Sequence, residues 1–226
     1  MKRSRLAAAV VAATLTLTLT GCGGGDKSDL TDLSASKILA KTVKAAAAAD
    51  SVSVSGEGED EGTSIEIDLE FAGEDGSGTI EVDGTEITLL GVDGAAYFKA
   101  GPELFSSFGA DGAQVARLIG DKWIVIDENA SNFSDFASFV GRDAFFKSLL
   151  DPEGKVTKGK EKKIDGVDTI GLETKSGTLY VDVESGRPIS LQKSGDGGTL
   201  SFDYDDVDAP EAPAADEVFD LSQIDG

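Results

Sequence analysis

The chain has 226 residues, with 42 Asp and Glu against 20 Lys and Arg, no histidine, one cysteine and a formal net charge of −22. So acidic a body repels phosphate backbones and argues against a nucleic-acid partner. The missing imidazole removes histidine bases, histidine metal ligands and a pH switch near neutrality, and a single cysteine makes no internal disulfide, zinc site or redox pair.

Residues 1–21 read as an address rather than as part of a folded domain. Lys2, Arg3 and Arg5 precede an apolar, Thr-containing stretch from Leu6 to Leu19, which has the length of a signal peptide and is too short for a comfortable membrane span. The stretch runs into Leu19-Thr20-Gly21-Cys22, which resembles the bacterial lipobox. A small residue before the cysteine admits a peptidase, and the Cys22 thiol receives a diacylglyceryl group. Two acyl chains hold stably on a membrane where one exchanges. Loss of residues 1–21 removes three positive charges and takes the remainder from −22 to −25. Such a body stands off an anionic leaflet. Residues 22–33 then form the lipidated cysteine and a flexible tether. The ten residues from Gly23 to Asp32 give it a reach of roughly 16–19 Å.

Residues 34–226 read as one domain. The first expected element is a helix from Ser36 to Ala49, capped by Ser34 or Ser36, with Ile38, Leu39, Val43 and Ala46 or Ala47 forming an apolar stripe. Strands of period two follow. Ile65, Ile67, Leu69 and Phe71 alternate with acidic residues, as do Ile80 and Val82, then Ile87 and Leu89 with Glu86 and Thr88. Asp83-Gly84 and Asp93-Gly94 are hairpin turn signals. An apolar face opposite an acidic one marks an antiparallel sheet with one wet side. A helical insert is expected over about 102–150, interrupted by a strand at Trp123 to Ile126. Five further strands are expected at roughly 155–164, 167–174, 177–184, 188–194 and 198–205, divided by Asp165-Gly166, Ser185-Gly186 and glycine-rich turns. The tail from Ala209 is rich in Pro and Ala, with Val218, Phe219 and Leu221 placed to pin the end.

No catalytic or metal-binding pattern emerges. G-x-S-x-G is absent. The acidic clusters at Glu57 to Glu61 and Asp203 to Asp208 lack the ligand spacing of a calcium loop. No cofactor is implied. Two features rise above this background. Seven of the eleven phenylalanines (105, 108, 133, 136, 139, 145 and 146) fall in the insert beside Trp123. They either pack the core or line an apolar pocket beneath a movable lid. Lys155, Lys158, Lys160, Lys162 and Lys163 fall within nine residues. Lysines along a strand protect an exposed edge, or contact an anionic head group or an acidic partner.

The order of elements carries a resemblance. After the lipobox come an alanine-rich helix, the strand Ser51-Val52-Ser53-Val54-Ser55-Gly56, then Gly120-Asp121-Lys122-Trp123-Ile124-Val125. A Lys-Gly strand with Ile164-Asp165-Gly166-Val167 follows, then Gly177-Thr178-Leu179-Tyr180-Val181 and Arg187-Pro188-Ile189. This resembles the LppX/LprA/LprF/LprG family of actinobacterial cell-envelope lipoproteins. The resemblance implies an α+β, LolA-like fold: a strongly curved antiparallel half-barrel with short helices over its concave face. It also implies a non-enzymatic role, binding acylated lipid in an apolar cavity and carrying it across the envelope. Candidate lining residues are Ile65, Ile67, Leu69, Phe71, Ile80, Val82, Ile87 and Leu89 from the sheet. Trp123, Phe133, Phe136, Phe145 and Phe146 come from the insert. The alternative is an accessory or sensory lipoprotein with a filled core, acting through contact with another envelope protein.

Overall fold

The computed structural model describes residues 30–60, 62–106, 112–126, 134–152, 154–195 and 197–219. The expected signal segment, Cys22, the tether up to residue 29, Phe108, Phe133 and Leu221 lie outside these residues. Among the described residues, the alternating segments build one sheet of twelve strands. The first meander contains β1 (Ser51–Asp60), β2 (Thr63–Ala72), β3 (Asp75–Val82), β4 (Thr85–Val92), β5 (Ala95–Ala100) and β6 (Trp123–Ile126). The second contains β7 (Thr157–Ile164), β8 (Val167–Glu173), β9 (Gly177–Asp182), β10 (Pro188–Lys193) and β11 (Thr199–Asp203). Antiparallel pairing of β1 with β11 joins the two. The short β12 (Val218–Phe219) runs parallel to β6, beside Trp123 and Ile124.

Turn chemistry sets the hairpins. Asp83-Gly84, Asp93-Gly94 and Asp165-Gly166 all have positive φ at both residues, as the tight turn of a right-twisted hairpin requires. Side chains end several strands sooner than alternation alone suggests. The Asp182 carboxylate accepts the backbone N–H groups of Glu184 and Ser185, so β9 stops at Asp182. Asp203 accepts Asp205 N–H at 2.9 Å and closes β11 in the same manner. The first helix, α1, spans Ala35–Ala47. Ser34 holds the cap position through its backbone carbonyl, which accepts from Lys37 and Ile38, and its hydroxyl makes no capping bond.

The topology dictates where the helices go. The sheet runs from β12 and β6 at one edge to β7 at the other, so it stays open as a half-barrel. The chain leaves the first meander at β6 and re-enters at β7, so the segment between must cross the sheet. That segment holds α4 (Ser134–Val140) and α5 (Arg142–Leu149), while α2 (Pro102–Ser106) and α3 (Gly112–Ile119) lie between β5 and β6. Gly76 and Gly91 are paired across β3 and β4. A Cβ on either would come within 2.8 Å of the Val140 carbonyl oxygen, so bare backbone receives the end of α4.

Cross-strand register shows what these helices cover. Phe202, Val54 and Leu69 lie side by side on β11, β1 and β2, and Leu89, Phe98 and Ile124 continue the row past Gly78. A second row links Leu172, Leu179, Leu191 and Leu200, passes Gly56, and resumes at Ile67, Ile80 and Ile87. The opposite face carries Glu57, Glu66, Glu81 and Glu86 in one line over four strands. Like charges directly opposite oppose pairing, so the inner rows hold this sheet together against its own outer charge.

Arg142, the first residue of α5, clamps the covering layer to the sheet. Its side chain is 7% exposed. One guanidinium nitrogen donates to the Ala49 carbonyl just after α1, and another to Glu74 at 2.8 Å in the β2–β3 turn. Replacing it orphans a buried carbonyl. Arg142→Met, which keeps the stem, is expected to lower the unfolding free energy by about 1–3 kcal/mol in urea denaturation. Lys147→Met on the exposed side of α5 is expected to change it by less than about 0.5 kcal/mol.

Candidate functional site

The aromatic residues of the insert fill the space beneath α4 and α5. Phe71 of β2 meets Phe145 at 5.2 Å and Phe146 at 5.9 Å between ring centroids. Phe145 and Phe146 meet edge to face at 5.4 Å, and Phe146 reaches Phe202 at 6.1 Å. Further along the sheet, Phe98 packs against Phe136 at 5.7 Å and Phe105 at 6.4 Å. Leu69, Phe71 and Leu89 have no accessible surface at all, and Ile80, Ile87, Phe145 and Phe146 have almost none. A side chain with no accessible surface borders no space that a water molecule could enter. These candidates therefore form a dry core against β2–β5, and the hollow expected there is filled by their rings.

Trp123 departs from expectation for a different reason. Ile124 and Ile126 take the inward positions of β6, so alternation turns Trp123 to the other face. There it is half-buried with Lys99 Nζ 4.9 Å from its ring. Phe136 is half-buried against Phe98, and Phe133 lies outside the described residues. Val82 is half-buried beside Ile65.

Open space lies elsewhere, at the far end of α5. A cleft of about 470 Å³ runs under the helix end between Leu149 and Leu150 above and Leu172, Leu179 and Leu191 below. Leu39 of α1, Phe139 of α4 and Val156 complete its apolar wall. A smaller lobe of about 130 Å³ continues past Leu191 to Leu200, Ile67 and Ile65. Leu149, Leu191 and Lys193 border both lobes, so the two adjoin. Of the sheet candidates, Ile65 and Ile67 thus reach the open space.

Gly58, Gly197 and Gly198 line the smaller lobe, and Gly56 lies in the row beside it. A Cβ on Gly56 would lie 2.0 Å from the Thr199 carbonyl oxygen, and one on Gly198 1.9 Å from that of Glu57. The crossing of β1 and β11 is too tight for side chains. Gly56 thus leaves bare backbone between Leu200 and Ile67, both of which line the lobe.

A separate polar hollow of about 370 Å³ lies at the β7 edge, among Thr31, Lys162, Lys163, Asp168 and Thr169. Its lysines are engaged locally. Lys163 pairs with Asp168 at 2.8 Å, Lys162 lies 5.0 Å over the Tyr180 ring, and Lys158 donates to the Thr31 carbonyl. With β7 outermost in the sheet, the lysine strand occupies the position that edge protection requires. Away from both hollows, burial pushes the Tyr204 hydroxyl well above its ordinary pKa, with Arg187 opposing. That hydroxyl donates to the Pro188 carbonyl at 3.0 Å. Among the described residues, no three carboxylate or thiol groups converge on a metal position, and no helix is long and apolar enough to cross a membrane.

No family model matches the chain, and no curated protein matches it. Among solved structures it is similar to LprF from Mycobacterium bovis, with 14% identity over 78% of this chain and 96% of that one, at a TM-score of 0.49. It is similar also to the lipoprotein LppX from Mycobacterium tuberculosis, with 14% identity over 77% and 99% of the two chains, at a TM-score of 0.43. A LolA superfamily protein from Nitrosomonas europaea shares 12% identity over 80% and 96%, at a TM-score of 0.27.

The contrast between filled core and open cleft can be measured. Phe146→Ala, in the packed rings, is expected to cost about 3–5 kcal/mol of stability. Leu149→Ala, on the cleft rim, is expected to cost less than half of that by the same urea titration.

Proposed function

We propose that the protein is a membrane-anchored cell-envelope lipoprotein that binds the acyl chain of a lipid in the cleft beneath Leu149 and carries it through the envelope. The observation that carries this reading is the cleft itself, an apolar trough of about 470 Å³ beside a core that is otherwise dry. Its volume falls within the range of small-molecule sites, about 300–1,000 Å³. Binding is driven by desolvation, at about 0.8 kcal/mol for each methylene buried, and needs no catalytic group. Such a contact is non-directional, so a chain can slide in and out along the trough. The anchor is an acylated Cys22, which keeps carrier and membrane within reach of each other.

The packed rings of Phe71, Phe145 and Phe146 favour a second reading, an accessory lipoprotein that works by contacting another envelope protein. It requires no guest in the cleft.

The test uses the full chain carrying Cys22→Ser, so that no covalent acyl group competes for the cleft. Organic extraction followed by mass spectrometry is expected to yield co-purified acyl lipid, and a fluorescent fatty-acyl probe is expected to bind. Leu191→Trp, which places an indole across both lobes, is expected to abolish probe binding while leaving the melting temperature within a few degrees. Absence of lipid together with absence of probe binding would remove the carrier reading and leave the accessory one.

A further inference from the structure

The rim of the cleft has a chemistry of its own. Along β8, β9 and β10 the lining row is Leu172, Leu179 and Leu191. One step outward on the same face are Thr174, Gly177 and Lys193, each two residues from its leucine. Gly177 is paired with Lys193 across the strands, so no side chain stands between the ammonium group and the threonine. The Thr174 hydroxyl is held by the Gly177 backbone at 3.0 and 3.1 Å and by the Ser176 hydroxyl at 3.1 Å. Lys193 is fixed at its base, where its N–H donates to the Gly198 carbonyl at 3.0 Å. The turn after it packs so closely that a Cβ on Gly197 would lie 2.7 Å from Lys193 Cβ. Aliphatic floor, hydroxyl step and cation therefore follow one another over three strands. Asp151, beyond the end of α5, is the other charged residue bordering the larger lobe; Glu57 and Glu59 border the smaller one from β1 positions that alternate to the outer face.

We infer that the ligand of this cleft is an amphiphile with one acyl chain and an anionic head, carboxylate or phosphate, seated on Lys193 beside Thr174 and Ser176. The inference rests on the acyl-binding reading and narrows it. Volume sets the number of chains. A methylene fills about the ~30 Å³ that a water molecule occupies in liquid, so the larger lobe holds roughly 15 methylenes. The smaller lobe adjoins at Lys193 itself, so a tail leaving a head group seated there runs along one lobe, and the larger lobe matches a single chain. Charge sets the head. A chain with a net charge of −22 repels anions in general, and Lys193 is the one cation bordering either lobe among the described residues.

The experiment titrates the full chain carrying Cys22→Ser, below the aggregation concentration of each ligand, with three probes at pH 8: palmitate, hexadecanol and dipalmitoyl phosphatidic acid. Palmitate is expected to bind with 1:1 stoichiometry, more tightly than hexadecanol, and dipalmitoyl phosphatidic acid more weakly than either. Lys193→Gln is expected to weaken palmitate about two- to fivefold, the scale of an exposed ion pair, and to leave hexadecanol unchanged. Lys193→Glu is expected to weaken palmitate further, whereas Lys175→Gln in the neighbouring turn leaves it unchanged. Equal binding of palmitate and hexadecanol, with no effect of Lys193→Gln, would overturn the anionic head while acyl binding stood. Tight 1:1 binding of the two-chain lipid would overturn the single chain. If none of the three binds, this inference and the carrier reading fall together.

Discussion

Cross-strand register on the inner face of the sheet is the constraint from which the rest follows. Twelve strands are aligned so that aliphatic and aromatic residues stand beside one another from β8 to β6. A slip of one residue in any strand would exchange Leu69 for Glu70 or Ile67 for Asp68, and would drive a carboxylate into the core. The outer face gives no help, because Glu57, Glu66, Glu81 and Glu86 repel one another in the same register. Burial on one side therefore has to outweigh repulsion on the other. The Asp-Gly turns at residues 83–84, 93–94 and 165–166 fix the register at three hairpins.

The same sheet behaves differently in its two halves because its cover is uneven. The chain leaves at β6 and returns at β7, so α4 and α5 are carried across the inner face. The rings of Phe136, Phe145 and Phe146 meet Phe98 and Phe71 and close off the first meander. The second meander presents leucines instead, and of α5 Leu149, with Leu150 just beyond it, reaches over them. Arg142 holds the start of α5 to Ala49 and Glu74, and among the described residues no comparable clamp is present at its end. Firm packing at one end and open volume at the other would let the proposed guest enter without unfolding.

Glycine contributes through absence. Gly56 and Gly198 lie where β1 and β11 approach too closely for any Cβ, and the missing side chains interrupt an otherwise continuous aliphatic row. Gly177 does the same one row outward, leaving Lys193 and Thr174 in view of each other. Backbone crowding at the β1–β11 pairing thus also shapes the open space beside it.

Much of this architecture is legible in the chain itself. Strict alternation at Ile65–Phe71 and Ile80–Val82 specifies antiparallel strands with one wet face, and the Asp-Gly pairs specify their turns, because both signals are local. The lysine run reads as an edge strand for the same reason. Trp123 misled because alternation tells which residues share a face and not which face turns inward; Ile124 and Ile126 decided that by packing. The phenylalanines of the insert were legible as apolar, but whether they line a void or fill it depends on how closely rings from distant segments approach. Arg142 gave no signal, since its partners Ala49 and Glu74 are remote in sequence. The cleft is likewise a product of tertiary structure alone. It exists because α5 ends at Leu149 above a leucine row and a bare glycine crossing, and volume left between elements is written in no single segment.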